Sequence, residues 1–385
     1  MNYNHPARND STMTIAVVCA FIFVVFSFLW LYFFQSDLLA AFQHVLSAGQ
    51  TSYNHTVGAV IITLVLWLLQ MGVCSVLKLK RYAYALTFFP SMLLLAVLTS
   101  AGQDTGFSIR FGVWLWLFPL LLLGWYVLVR IVRNVQNMWQ RIPTGLFSRC
   151  SWANMMQMVL MIIGVAVISN TNAVFHFRMH AESALNEGDY NEALRVGSRS
   201  HETDGNLMML RMYALSRQGL LGERLFHYPL VPSSEVMLPT DSTVLMVRYP
   251  VDSLYRYLGA KPKQSMKPMD YLAAIVRSHK ASPAAADYIL CGYLLDKDID
   301  AFAREVSRYY PINSDSLPRH YREALVLYNH RRSNPVITYK DAVLDVDYND
   351  LQKLEASCQN DTERKGKVME SYANSYWYFF DYVSQ

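Results

Sequence analysis

The chain has 385 residues, of which 17% are charged and 53% hydrophobic, with a formal net charge of +4. These averages hide two compositions: the first 177 residues carry only twelve ionised side chains and no Glu precedes Glu182, whereas from Arg178 onward 25 Lys/Arg stand against 27 Asp/Glu. The first part suits lipid and the second suits water, and the slightly acidic second part has no basic stripe, which excludes nucleic acid as a partner.

In chain order, the charges of the first part fall between long uncharged runs. A hydrocarbon core needs about 20 apolar residues of helix, and five runs qualify: 14–34, 56–77, 83–100, 111–132 and 152–170. Five in succession, with nearly all the charge left to the loops, argue for a transmembrane bundle over residues 1–172 rather than for core helices of a soluble protein. The first run is too long for the apolar core of a secretory signal and has no small-x-small cleavage site.

Basic loops stay in the cytoplasm. Lys78, Lys80 and Arg81 join the second and third runs, and Arg130, Arg133, Arg141 and Arg149 join the fourth and fifth; the other two loops offer only Arg110. The N-terminus is therefore expected inside and residues 173–385 outside, which in a bacterial inner membrane means the periplasm. Ionisable groups at membrane depth mark pumps and ion-coupled transporters. These runs carry none at mid-depth, since Arg130 lies two residues from the end of the fourth, so the bundle reads as an anchor. Pro90 and Pro119 are candidate kinks, and Gly58, Gly72, Gly124 and Gly164 candidate points of close helix approach.

Between the first two runs, Ser36 or Asp37 is placed to cap a helix with Leu38, Leu39, Phe42, Val45 and Leu46 on one side, lying flat on the outer leaflet and stopped at Gly49. It either seals the bundle or presents Asp37 and His44 to a substrate, with His55, Asp104 and Arg110 as neighbours at the same face.

The second part is expected to be all-α. In Ala184-Leu-Asn-Glu-Gly-Asp-Tyr-Asn-Glu-Ala-Leu194, Gly188 ends one helix, Asp189 caps the next with Glu192 completing a capping box, and Ala193 lets the two approach. This stretch resembles the tetratricopeptide (TPR) hairpin. A step of 31 residues brings Gly188 onto Gly219, with 206–218 as another first helix, although Arg224 stands where Ala193 stood. Ser282 to Val306 makes a third hairpin, with Pro283 in a first helical turn and Asp298 as a cap, and helices at 317–328, 347–358 and 362–382 extend the series into a TPR-like α-solenoid. In the last of these, Val368, Met369, Tyr372, Tyr376, Phe379 and Phe380 form one apolar stripe. Six prolines break the pattern over about 227–268, where 243–247 is β-prone, so this insertion is either a functional arm or a packed cover.

Metal and catalytic signatures are thin. His176 and His180 share a helix face without a third ligand, and no Cys-x-x-Cys, HExxH, phosphate-cradling Gly loop or Gly-x-Ser-x-Gly occurs, so neither a metal, a cofactor nor a catalytic residue is assigned. Cys291 and Cys358 are the two cysteines that meet the outer compartment; Cys291 reads as a buried core thiol.

Gln35-Ser-Asp-Leu-Leu, Gln43-His-Val-Leu-Ser-Ala-Gly-Gln50, Tyr53-Asn54, Phe88-Phe-Pro-Ser-Met-Leu-Leu-Leu95 and Leu317-Pro-Arg-His-Tyr-Arg-Glu-Ala324 together resemble an uncharacterised bacterial family, a domain-of-unknown-function group of multi-pass inner-membrane proteins with a TPR-like tail. The resemblance implies bacterial origin and this architecture, and it transfers no functional residues. The expected function is a membrane-anchored scaffold that offers its helical repeats to protein partners of the cell envelope. The alternative is a membrane transferase acting on a lipid-linked glycan, with Asp37 as its acidic group.

Overall fold

The computed structural model describes residues 7–79, 81–100, 113–136, 148–239, 246–312 and 316–384. Every regular element among them is helical, and the chain divides into two compact units, Met1–Asn172 and Ala173–Gln385.

The first unit contains α1 (Ala7–Leu29), continued by a π-helical turn at Trp30–Phe34, then α2 (Ser36–Leu46), α3 (His55–Leu77), α4 (Phe89–Thr99), α5 (Trp114–Gln136) and α6 (Arg149–Ile168). Five stretches are long and apolar enough to cross a membrane: Met13–Phe34, His55–Leu77, Tyr82–Thr99, Trp114–Asn134 and Arg149–Ile168. Each agrees with an apolar run of the sequence to within a turn. The outward faces of α3, α5 and α6 carry Ile61, Leu68, Leu120, Leu123, Leu160 and Val167, an apolar surface suited to lipid rather than water.

The third stretch is the hub. It is 61% buried by its neighbours, against 6% for the fourth, and it packs on both α3 and α6. It is not one regular helix: short 3-10 turns at Arg81–Ala83 and Ala85–Phe88 precede α4. Pro90 therefore kinks nothing, because it lies in the first turn of α4, where its missing N–H costs no ladder bond. Backbone groups released by the 3-10 turns need partners, since lipid offers none. Asn154 Oδ1 accepts from Ala85 N at 2.8 Å, Gln157 Nε2 donates to Tyr82 O at 2.9 Å, and Trp125 Nε1 donates to Leu86 O at 2.9 Å. Gln70 reaches Thr87 Oγ1 at 3.1 Å and Ser91 Oγ reaches Leu66 O at 2.8 Å, tying α3 to the same hub. Of the four glycines expected at close approaches only Gly58 has a neighbour, the Tyr53 ring; nothing lies within 4 Å of where a Cβ would stand at Gly72, Gly124 or Gly164.

The second unit contains α7 (Ala173–Glu187), α8 (Tyr190–Arg195), α9 (Gly205–Arg217), α10 (Leu221–Arg224), α11 (Val251–Leu258), α12 (Pro268–Arg277), α13 (Ala284–Leu295), α14 (Ile299–Tyr309), α15 (Arg319–Arg331), α16 (Ala342–Ala356), α17 (Asp361–Tyr372) and α18 (Tyr376–Tyr382). Gly188 and Gly219 close α7 and α9 at φ +77° and +69°, where a side chain would be strained. Asp189, Asp204 and Asp298 cap α8, α9 and α14 by accepting from Glu192 N, Leu207 N and Ala301 N. The reciprocal half of the expected capping box is not made, because the Glu192 carboxylate turns to His180 and Arg195. Pro283 stands just before α13, as its N-cap.

Two expectations fail on detail. The helix at 362–382 is two helices, since Ser375 breaks the run and caps α18 through Tyr378 N; Tyr376, Trp377 and Phe379 are buried while Met369, on α17, is exposed. The stretch 227–268 holds a helix, α11, between Pro250 and Pro262, and its Leu254 and Leu258 join Met237 and Leu238 in the main core. Of the β-prone 243–247, residues 243–245 lie outside the described residues, and Met246 and Val247 are in no strand.

Candidate functional site: a backbone clamp and an arginine among tyrosines

The richest polar constellation in the second unit lies where α7, α8 and α9 meet the segment 246–257. Packing of α7 on α9 carries Glu182 into full burial, where a carboxylate requires several donors to offset desolvation. It finds them in a chain segment more than sixty residues away: Oε2 accepts from Val247 N at 2.8 Å, Arg248 N at 2.6 Å and Tyr249 N at 3.3 Å, while Oε1 faces Arg178 Nε at 3.4 Å. One turn along α7, Asn186 Nδ2 donates to Arg248 O at 3.1 Å. Two side chains of one helix thus read three successive amides and a carbonyl, contacts indifferent to the side chains of the segment they hold.

Beside this clamp is an aromatic wall. Tyr213 and Tyr249 share a hydroxyl hydrogen bond of 2.9 Å, and Tyr257 of α11 donates to Ser216 O at 2.8 Å. Arg217, exposed at the end of α9, places its guanidinium carbon 5.0 Å from the Tyr257 ring centre, 5.1 Å from Tyr190 and 5.8 Å from Tyr213, and Nη1 donates to the Tyr213 hydroxyl at 3.2 Å. Burial and the neighbouring Tyr249 raise the Tyr213 pKa, so the hydroxyl stays protonated. The adjacent Arg248 keeps Nε and Nη1 buried with no hydrogen-bond partner among the described residues.

A second buried cluster is structural. Glu323 accepts from Arg319 Nε at 2.8 Å, from Tyr376 N at 2.7 Å and pairs with His320 Nδ1 at 2.9 Å, while Trp377 Nε1 donates to Glu323 O at 2.9 Å. Burial alone would raise the Glu323 pKa, but the His320 hydrogen bond and charge hold it below its ordinary value. The Pro318-Arg-His-Tyr-Arg-Glu323 stretch is therefore the knot that fastens α18 to α15. The His320 ring meets His227 at 5.3 Å; His227 itself stays partly exposed, and partial desolvation, then His320 and Arg319, push its pKa down to about 4. Arg331, Glu355, Arg364, Asp381 and Tyr382 line an open polar cleft of about 440 Å³, where each carboxylate is already paired, Glu355 with Tyr382 and Asp381 with Arg331.

The residues singled out from sequence are placed apart. Asp37 and His44 occupy opposite ends of α2, and seven residues of helix separate them by roughly 10 Å along its axis. Leu38, Leu39, Ala40, Ala41 and Phe42 are all buried while Val45 and Leu46 are exposed, so α2 is sunk at its start rather than lying on one stripe. Asp104 and Arg110 lie outside the described residues, as do Lys80 and Arg141. His180 pairs with Glu192 at 3.5 Å, and no group of three metal-ligating side chains occurs among the described residues. Cys291 and Cys358 are separate free thiols, Cys291 facing the Tyr321 hydroxyl at 3.4 Å and Cys358 the Leu354 carbonyl at 3.2 Å. Sequence alone gives neither Glu182 nor Arg217 a role: Tyr213 lies one turn from Arg217, but residues 247–249, Tyr190 and Tyr257 are tens of residues away.

Residues 251–383 match the model of a family of unknown function (DUF6057), a stretch that runs from α11 through α18. No curated protein and no solved structure matches the chain.

Proposed function

We propose that this protein is a membrane-anchored interaction scaffold: five spans hold it in a bacterial inner membrane with the N-terminus cytoplasmic, and a TPR-like helical unit on the outer side binds extended segments of envelope proteins. The observation that carries the reading is the exposed Arg217 among the rings of Tyr190, Tyr213 and Tyr257, on a surface held in shape by the clamp of Glu182 and Asn186 on the backbone of residues 247–249. Tyr and Arg are the side chains that dominate protein interfaces. The loop distribution of Lys and Arg supports the orientation.

The test is site-specific crosslinking in cells. A photoreactive side chain at Tyr190 should capture a defined envelope protein, and Arg217→Glu should weaken that capture at least thirtyfold, the equivalent of about 2 kcal/mol for an interface anchor. Loss of the cellular phenotype in Asp37→Ala, with capture and abundance unchanged, would overturn the scaffold reading in favour of the transferase.

A further inference from the structure

We propose that the first unit carries a specific site for one anionic phospholipid, with an acyl chain in the groove between α1 and α6 and its phosphate at Arg149. The groove is a cavity of about 260 Å³ lined by Thr14, Ile15, Val18 and Cys19 of α1 and by Ser151, Trp152, Asn154 and Met155 of α6, a largely apolar wall with Thr14 at its rim. It lies at the ends of two apolar stretches, one starting at Met13 and the other at Arg149, the depth at which headgroups begin.

Its polar neighbours on α6 are turned to the protein. Asn154 donates to Cys150 O at 2.8 Å and accepts from Ala85 N at 2.8 Å, and Ser151 Oγ lies 3.3 Å from Ser148 Oγ. Water fills a cavity only where each molecule finds two or more polar partners, so an apolar chain is the fitting occupant. A partner helix is excluded by length: the α1 wall spans six residues, roughly 9 Å, whereas helices that associate in a membrane pack along a seam of several turns. The charge decides the headgroup. Arg149 is exposed, has no acidic partner among the described residues and sits one helical turn from Trp152, which is itself exposed in the manner of an interfacial aromatic.

Native mass spectrometry of the full-length protein, released from detergent with dioleoyl phosphatidylglycerol or dioleoyl phosphatidylcholine, tests the site. One phosphatidylglycerol should be retained with about fivefold preference, the contribution of one basic side chain at an anionic headgroup. Arg149→Gln should abolish the preference while a lipid still binds, and Val18→Trp, which fills the groove, should remove the retained lipid. Excess inorganic phosphate should displace nothing; displacement would mean that the phosphate alone is bound and the acyl chain is irrelevant. A phosphatidylglycerol with a diazirine on its acyl chain should label peptides of α1 and α6, a readout that survives if Val18→Trp does not fold. Equal retention of the two lipids by the unaltered protein, or labelling confined to other helices, would overturn the proposal.

Discussion

Both units use buried polar side chains to hold irregular backbone, but they choose different chemistry. In the first unit the mending groups are neutral: Asn154, Gln157 and Trp125 satisfy the 3-10 turns ahead of α4. In the second they are carboxylates: Glu182 gathers three amides of residues 247–249, and Glu323 gathers Tyr376 N together with His320 and Arg319. A carboxylate binds amides more strongly than an amide oxygen does, but it must be desolvated, at a cost that grows as the surroundings become more apolar. The neutral groups accordingly sit in the unit whose outer surface is apolar, the carboxylates in the unit whose surface is charged.

Breaking the charged knot should have the largest effect. Glu323→Ala removes the acceptor for Tyr376 N and strands His320, so the full-length protein in detergent should lose about 3–5 kcal/mol from the unfolding transition of the second unit. Trp377, which donates to Glu323 O, gives a local fluorescence signal for the loosening of α18. An unchanged midpoint would show that α18 is held by apolar packing alone.

Breaking the neutral mend should matter less. Asn154→Leu leaves Ala85 N without its acceptor and should cost roughly 1–2 kcal/mol, the range for hydrogen bonds between membrane helices. Faster hydrogen exchange at Ala85 would localise the loss. If Asn154→Leu proved as damaging as Glu323→Ala, the contrast between the two units would collapse.

Acid should separate the units as well. The His227 pKa is pushed down from 6.5 toward about 4 in the fold, a shift that solvent screens because the residue is exposed, so the unfolded chain binds the proton first, and the modest stability contributed by the neutral ring is complete above about 6.5 and declines as pH falls. Glu323, held below its ordinary 4.5, adds a second loss in the same direction at still lower pH, as its carboxylate protonates. Melting followed from pH 7 to pH 5 should fall for the second unit, and His227→Gln should flatten that part of the curve. A profile unaltered by His227→Gln would place the titration elsewhere.

The smallest effect concerns packing. Gly72 faces open space on α3, so Gly72→Ala should stabilise the first unit by about 0.5–1 kcal/mol through helix propensity, whereas Gly58→Ala meets the Tyr53 ring and should not. Thermal unfolding of the two variants side by side measures the difference.

Much of this was legible in the residues themselves. Hydrophobicity is a property of local composition, so five apolar runs announced five long apolar helices. Caps are local too: Asp189 and Asp298 accept from amides three residues on, and Gly188 and Gly219 relieve a backbone strain set by their own φ. A short-range signal misleads where a distant contact outweighs it. The stripe across 362–382 reads as one helix because its periodicity continues, yet Glu323 accepts from Tyr376 N and Ser375 caps the second piece, so the chain breaks there. Prolines on either side hid α11, whose Leu254 and Leu258 are helical because a core exists to bury them.

The candidate site belongs to the tertiary structure. The sequence by itself determined which stretches are apolar, where helices start and stop, and that a polar unit follows an apolar one, because each depends on neighbours within a few residues. Only the folded chain decided that Glu182 meets residues 247–249, that Arg217 stands among Tyr190, Tyr213 and Tyr257, and that Asn154 mends the backbone at Ala85. Apart from Arg217 with Tyr213, one helical turn away, those pairings join groups separated by tens of residues, and a carboxylate or an amide looks the same in sequence whether water or a distant backbone N–H satisfies it.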